Sequence, residues 1–311
     1  MRSSSLALTA HPPTAPPAHT PGSPPASDTP SLVRAVFGRA YRHGRRWDEG
    51  LWRWAELSAV IRLLGERPEL RSGPILDVGC GDGEAFEAVF GPRPDACGVD
   101  ACVTYADDVA RARTTGRYGE VREEDASHTT FEAGRFQLAF SNSVLEHVAP
   151  VEPVLVEVFR VLRPGGYFLF TTPAPRLYSR EAYSWRRAFA HFGLDGVGRW
   201  MAERECTVYH HVSILEPAEW TRRLGDAGFA AVEVLGYMPV EAARAMSRFS
   251  GATRVPVLSR LAWRLSREAR ELAEDVTEDR WIERCQTVLG PLLVDHAASG
   301  ACGQLVLARK P

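Results

Sequence analysis

Residues 75–83 read Ile75-Leu-Asp-Val-Gly-Cys-Gly-Asp-Gly83, a short apolar run followed by glycine at Gly79, Gly81 and Gly83. The run predicts a strand. The glycines let the chain turn tightly, approach a ligand with bare backbone and start a helix. A dinucleotide turn of the G-x-G-x-x-G kind is one candidate, and Asp100, 21 residues after Gly79, suits a ribose in that reading. Two features oppose it. The third glycine of that motif falls on Glu84. Asp77, Asp82 and Glu84 also surround the turn with carboxylates, which repel a pyrophosphate and favour a cation.

Outward from the turn, apolar runs alternate with helical patterns. Strands are predicted at 74–78, 96–100, near Glu120, at 136–140 and at 167–171, with helices between them. Val154, Val158, Val161 and Leu162 mark the helix before the last of these, which is predicted to stop at Pro164-Gly165-Gly166. Repeated strand-helix-strand units with short loops predict a parallel sheet covered on both faces. Leu57, Ile61 and Leu64 place a further helix at 49–65, and a final helix and two strands follow at 217–228, 231–236 and 303–308.

The chain has 311 residues, 45% of them apolar and 24% charged, with 37 basic against 39 acidic side chains. This is a globular composition without the positive field of a dedicated nucleic-acid binder. No apolar run approaches the ~20 residues of a membrane span. Six scattered cysteines with no C-x-x-C pair, and no signal-peptide pattern, lead to the expectation of reduced thiols and a cytoplasmic location. Residues 1–30 are rich in Pro, Ala, Ser and Thr and are expected to be a disordered tail. The rest is expected to form one domain over 31–311. It would carry an N-terminal helical segment at 31–70 and cap insertions at 174–215 and 239–298.

Five stretches in order carry a resemblance: ILDVGCGDG at 75–83, CGVD at 97–100, EDA at 124–126, FQLAFSNSVLEHV at 136–148 and LRPGGYFLFTTP at 162–173. The chain resembles the class I S-adenosylmethionine-dependent methyltransferases of the type 11 small-molecule subgroup, closely over 47–173 and loosely over 216–237 and 303–309. The resemblance implies an α/β, Rossmann-like fold with a mainly parallel seven-stranded sheet. It also implies S-adenosyl-L-methionine as cofactor and a small-molecule acceptor. Asp77, Gly79, Cys80 and Gly81 would then lie at the cofactor's amino-acid end, with Asp100 and Ala101 at its ribose. Asp125 would take the adenine amine and Ala126 would supply a backbone N–H. Ser141 and Asn142 would face the methionine part and the methyl group.

Where amino-directed DNA methyltransferases carry N/D/S-P-P-aromatic, this chain has Ser141-Asn142-Ser143-Val144, which disfavours a DNA substrate. Transfer to a hydroxyl needs a base, and the candidates are His147, His211 and His210. Some quinone-type relatives hold a metal with Glu-x-x-Glu-His; Ser143 replaces the first carboxylate here, so no metal is expected. Tryptophans 47, 52, 54, 185, 200, 263 and 281 are read chiefly as packing, with an aromatic lid as the alternative. The expected function is O-methylation of a small molecule. The alternatives are N- or C-methylation, a non-catalytic binding module and, from another class, hydride transfer.

Overall fold

All four residues of β1 (Ile75–Val78) are buried. The strand pairs in parallel with β2 (Arg93–Asp100) on one side and with β4 (Phe136–Asn142) on the other. This computed structural model describes residues 30–101, 107–250, 272, 276–293 and 300–311. Outside β2 lies β3 (Tyr118–Glu123); beyond β4 come β5 (Leu162–Pro173), β7 (Gly303–Arg309) and β6 (Ala230–Tyr237). The order is β3-β2-β1-β4-β5-β7-β6, with only β7 antiparallel to its neighbours.

Side-chain alternation along the strands divides the core in two. Ile75, Leu138, Phe140, Leu169 and Leu305 face one layer, where they meet α1 (Pro30–Arg42), α2 (Trp47–Glu66), α3 (Glu84–Phe90) and α10 (Glu278–Leu289). Leu76, Val78, Ala139, Phe168 and Val306 face the other, against Val154, Leu155 and Val158 of α5 (Glu152–Val161) and Trp220 and Leu224 of α8 (Pro217–Asp226). Trp47, Trp54 and Trp281 are core residues, and Phe37 packs edge-on against Trp54 and Trp281. Helix α4 (Asp108–Thr114) joins β2 to β3. Between β5 and α8 lie α6 (Ser184–His191) and α7 (Asp195–Val208); α9 (Val240–Ser250) follows β6.

One boundary differs from the sequence reading. Helix α5 ends at Val161, and Pro164-Gly165-Gly166 belongs to β5. Arg163 precedes a proline, which disfavours its helical conformation, and Leu162 is already extended. The ladder jumps from Phe136–Leu162 to Leu138–Tyr167, so the Pro-Gly-Gly stretch is accommodated as an irregularity. The first 29 residues of the predicted tail, and Leu258, Leu261 and Leu265 of the second predicted insertion, lie outside the described residues.

Candidate active site

In an open α/β sheet, ligands bind past the carboxyl ends of the strands where the order reverses, here between β1 and β4. The glycine turn occupies this point. Gly79 has φ 74°, and a Cβ there would stand 2.5 Å from Val144 Cγ2, so only glycine fits. Gly81 has φ 52° and faces Asp108, with room beyond a Cβ. The N–H groups of Gly79 and Cys80 both donate to the Val99 carbonyl at 2.8 and 3.1 Å, and Gly81 N–H donates to Asp100 Oδ2 at 2.9 Å. Asp100 therefore braces the turn that the sequence reading placed under a ribose. Ala101 follows it as an exposed residue.

The charge around the turn differs from the sequence expectation. Arg39 of α1 pairs with Asp82 at 2.5 Å and with Glu84 at 2.8 Å, and Arg42 approaches Glu84 at 3.8 Å, so these two carboxylates are countered by two cations from within the chain. Sequence order gives no sign of this, because Arg39 arrives on a helix more than forty residues upstream. Asp77 remains: it is 3% exposed and accepts a 2.6 Å hydrogen bond from the Tyr118 hydroxyl. Burial pushes its carboxyl up to about 7, against the Tyr118 bond and with the help of the Asp100 charge. A buried carboxyl held in this way gains from a cation placed beside it. The turn thus fits an amino-acid ammonium or a sulfonium, and the residues present suit S-adenosylmethionine.

At the end of β4 the two predicted residues are engaged internally. Ser141 is wholly buried and donates to the Val78 carbonyl at 2.9 Å, so its hydroxyl clamps β4 to β1 rather than facing a cleft. Asn142 donates to Thr171 Oγ1 at 2.8 Å and accepts from Arg53 at 3.0 Å. Arg53 also binds Glu56 at 2.6 Å, and Glu56 accepts from Ser143 Oγ at 2.6 Å and from the Tyr237 hydroxyl at 3.0 Å. Although burial of Glu56 opposes its charge, Arg53 together with Ser143, Thr171 and Asn142 keeps its carboxyl below the usual range. The sequence reading missed this network. The available signal was an acid, Glu56, among apolar neighbours on a helix.

The histidines come together only in three dimensions. The carbonyl of Glu146 accepts from Val212 N at 2.7 Å and Ser213 N at 3.0 Å, which brings the segment after α7 against the 3-10 turn Leu145–His147. The His147 and His211 rings then lie 5.3 Å apart. His147 Nδ1 donates to the His210 carbonyl at 3.1 Å, and His211 Nδ1 meets the Tyr178 hydroxyl at 2.9 Å. His210 contributes that carbonyl from an exposed residue, and its ring is not part of the cluster. Burial lowers the basicity of His147, and of His211 down to about 4, so both rings are neutral near pH 7.

Glu146 is 1% exposed, its Oε2 has no partner, and burial pushes its carboxyl up to about 8. Ligand atoms of Glu146, His147 and His211 all lie within 4.8 Å of one another. This set can hold a divalent cation without the carboxylate that Ser143 replaces, a grouping the sequence spacing did not show. Asp125 is exposed and accepts from Ser127 N at 2.7 Å in a local turn, with Ala126 partly buried beside it. The Glu124 N–H donates to the Asp100 carbonyl at 3.1 Å, which keeps this loop on the same rim.

The shifted groups give a stability prediction. The folded-state pKa values of Asp77 and Glu146 are raised, so their contribution is complete at low pH and is lost as pH rises through about 7 and 8. The two histidines have lowered values and act oppositely, but only below about 6.5. Between pH 6.5 and 8 the melting temperature of the ligand-free protein is therefore expected to fall. Glu146 contributes a slope approaching about 1.4 kcal/mol per pH unit in the lower part of this range, while the smaller slope from Asp77 fades above about 7. Thermal melts across this range should flatten in Asp77→Asn and Glu146→Gln; an unchanged slope in both variants removes these carboxyls as the cause.

The strand order, the single antiparallel strand and the glycine turn at the β1 end define a Rossmann-like class I methyltransferase fold. The family described as a methyltransferase domain matches residues 42–234, and the chain belongs to it. It is 29% identical to a malonyl-[acyl-carrier protein] O-methyltransferase of Enterobacter lignolyticus over 154 residues, covering 50% of this chain and 58% of the relative. It is 28% identical to a ubiquinone biosynthesis O-methyltransferase of Psychrobacter arcticus over 169 residues, covering 52% and 61%. The chain thus spans about three fifths of the length of these curated relatives. Among solved structures, a SAM-dependent methyltransferase of Thermotoga maritima superposes with a TM-score of 0.52 at 16% identity, covering 90% of this chain and 98% of that one. Among the described residues no helix is long and apolar enough to cross a membrane.

Proposed function

We propose that the protein transfers the methyl group of S-adenosylmethionine to an oxygen of a small-molecule acceptor. The observation that carries this reading is Asp77, a buried carboxyl without a cationic partner in the contacts described for it, at the base of the glycine turn. Membership of the methyltransferase-domain family and likeness to two O-methyltransferases support it.

When bound, S-adenosylmethionine supplies an electrophilic methyl group and a good leaving group. Asp77 would hold the amino-acid end by charge, and Asp100, Ala101, Asp125 and Ala126 form the rim proposed for the nucleoside. Gly79, Cys80 and Gly81 offer close-approaching backbone. Beyond the end of β4, His147 takes the acceptor proton. Its Nδ1–H is committed to the His210 carbonyl, which leaves Nε2 as the lone-pair atom. Tyr178 orients His211 beside it. A neutral ring accepts the proton as the acceptor oxygen bonds to carbon, and holding the reactants in line supplies the rest of the rate.

Titration calorimetry tests the cofactor assignment. Asp100→Ala is expected to weaken S-adenosylmethionine binding about ten-fold or more, because unpaired buried hydroxyls cost roughly 1 to 3 kcal/mol. Asp100→Asn, which still accepts from Gly81 N–H, separates loss of the ribose contact from loss of the turn. Unchanged affinity in both variants removes Asp100 from the site.

A further inference from the structure

The cap formed by α6 and α9 contains a groove of about 860 Å³ that none of Asp77, Asp100, Glu146, His147 or His211 lines. Ser184, Arg187, Ala188 and His191 stand at positions i, i+3, i+4 and i+7 of α6 and form one face of that helix. Arg244 and Arg248, at i and i+4 of α9, line the groove as well. The two helices are pinned together: Ser184 N–H donates to Ser247 Oγ at 3.0 Å, and Ser184 Oγ donates to the Arg244 carbonyl at 2.7 Å. The spacing of the two faces is therefore set by hydrogen bonds and not by a passing contact.

The charge in this groove is one-sided. Arg180, Arg187, Arg244 and Arg248 line it against a single acid, Glu181, whose carboxylate is taken by Arg176 outside the lining. Arg244 reaches Glu241 at 3.4 Å. Arg180, Arg187 and Arg248 have no ion pair among the described residues. Guanidinium groups stay charged at any working pH, so several cations share one groove without counter-charge. Their fork geometry suits phosphate or carboxylate oxygens. Trp185 and Phe192 line the same groove, and Phe192 is 75% exposed. Six of the eight large apolar side chains exposed among the described residues fall between Phe192 and Val212. Arginines beside open aromatic surface, in a cavity of ligand size, match a molecule with an anionic end and an apolar body.

We propose that the α6–α9 groove binds an anionic amphiphile, an oxyanion head seated on Arg180, Arg187 and Arg248 with its apolar body along Trp185 and Phe192. This site is separate from the one assigned to methyl transfer and does not depend on that assignment. Calorimetry on the full chain with decyl phosphate and decanoate, both below their micellar concentrations, is expected to show one site per chain that weakens with added salt. The double variant Arg187→Ala/Arg248→Ala should bind at least ten-fold more weakly, and Phe192→Ala severalfold more weakly. Arg62→Ala, an exposed arginine outside the groove, should bind as the wild type does. All these arginines are exposed, and melting curves check that the variants fold. The proposal is overturned if decyl maltoside binds as tightly as the anions, if the double variant binds unchanged, or if many molecules bind per chain. Binding to phosphatidylglycerol vesicles without one-to-one binding of decyl phosphate also overturns it, in favour of a lipid surface.

Discussion

Replacing Glu56 with alanine is expected to lower the unfolding free energy by about 3 kcal/mol, the range for breaking a buried ion pair from one side. The carboxylate is fully buried and receives Arg53, Ser143 and Tyr237. Its removal leaves the buried Tyr237 hydroxyl without its carboxylate and a guanidinium without its counter-charge. It also unfastens α2 from the ends of β4 and β6, which frame the site. Glu56→Gln retains an acceptor for both hydroxyls and should lose roughly half as much. Urea unfolding of the two variants decides this. A loss below about 1 kcal/mol in Glu56→Ala would mean that the partly exposed Arg53 simply turns to solvent.

His147→Ala is expected to lower kcat by about 10² to 10⁴-fold on a hydroxyl acceptor while leaving S-adenosylmethionine affinity unchanged, the range for removing a positioned base. His211→Ala should lower it less, since that ring is the weaker base and is argued to support its neighbour. Because burial lowers both rings, the rate should already be on its plateau near pH 7, with its acid limb below the ordinary histidine range of about 6.5. Steady-state kinetics with cofactor affinity measured separately provide the test. Near-normal kcat in His147→Ala would show that positioning alone drives the transfer, or that the acceptor needs no deprotonation.

The legible parts of this protein were those written in local pattern. Apolar runs of four to eight residues, glycines at 79, 81 and 83 and the helical spacing of Val154, Val158 and Val161 placed the central strands and the turn, because period and backbone freedom are properties of neighbouring residues. The same pattern placed Asp77 and Asp100 at strand ends, where a side chain meets the ligand edge of the sheet. The limits of local reading show at Pro164, where the residue before a proline ended the helix earlier than the glycines suggested.

What remained hidden was every relation between distant segments. Three carboxylates around the turn read as one negative site, but Arg39 and Arg42 of α1 pair with Asp82 and Glu84, leaving Asp77 without a cation in the contacts described for it. Ser141 read as a cleft residue, yet the neighbouring strand supplies the Val78 carbonyl that takes its hydroxyl. His147 and His211 stand more than sixty residues apart in the chain, and backbone bonds to Glu146 make them a pair. Sequence by itself determined the sheet, the turn and the residues available at its edge, because hydrophobic period and glycine geometry act over a few residues. The tertiary structure alone decided which charges survive, which hydroxyls are occupied and which nitrogen of His147 keeps its lone pair, because those depend on partners that only packing brings within about 3 Å.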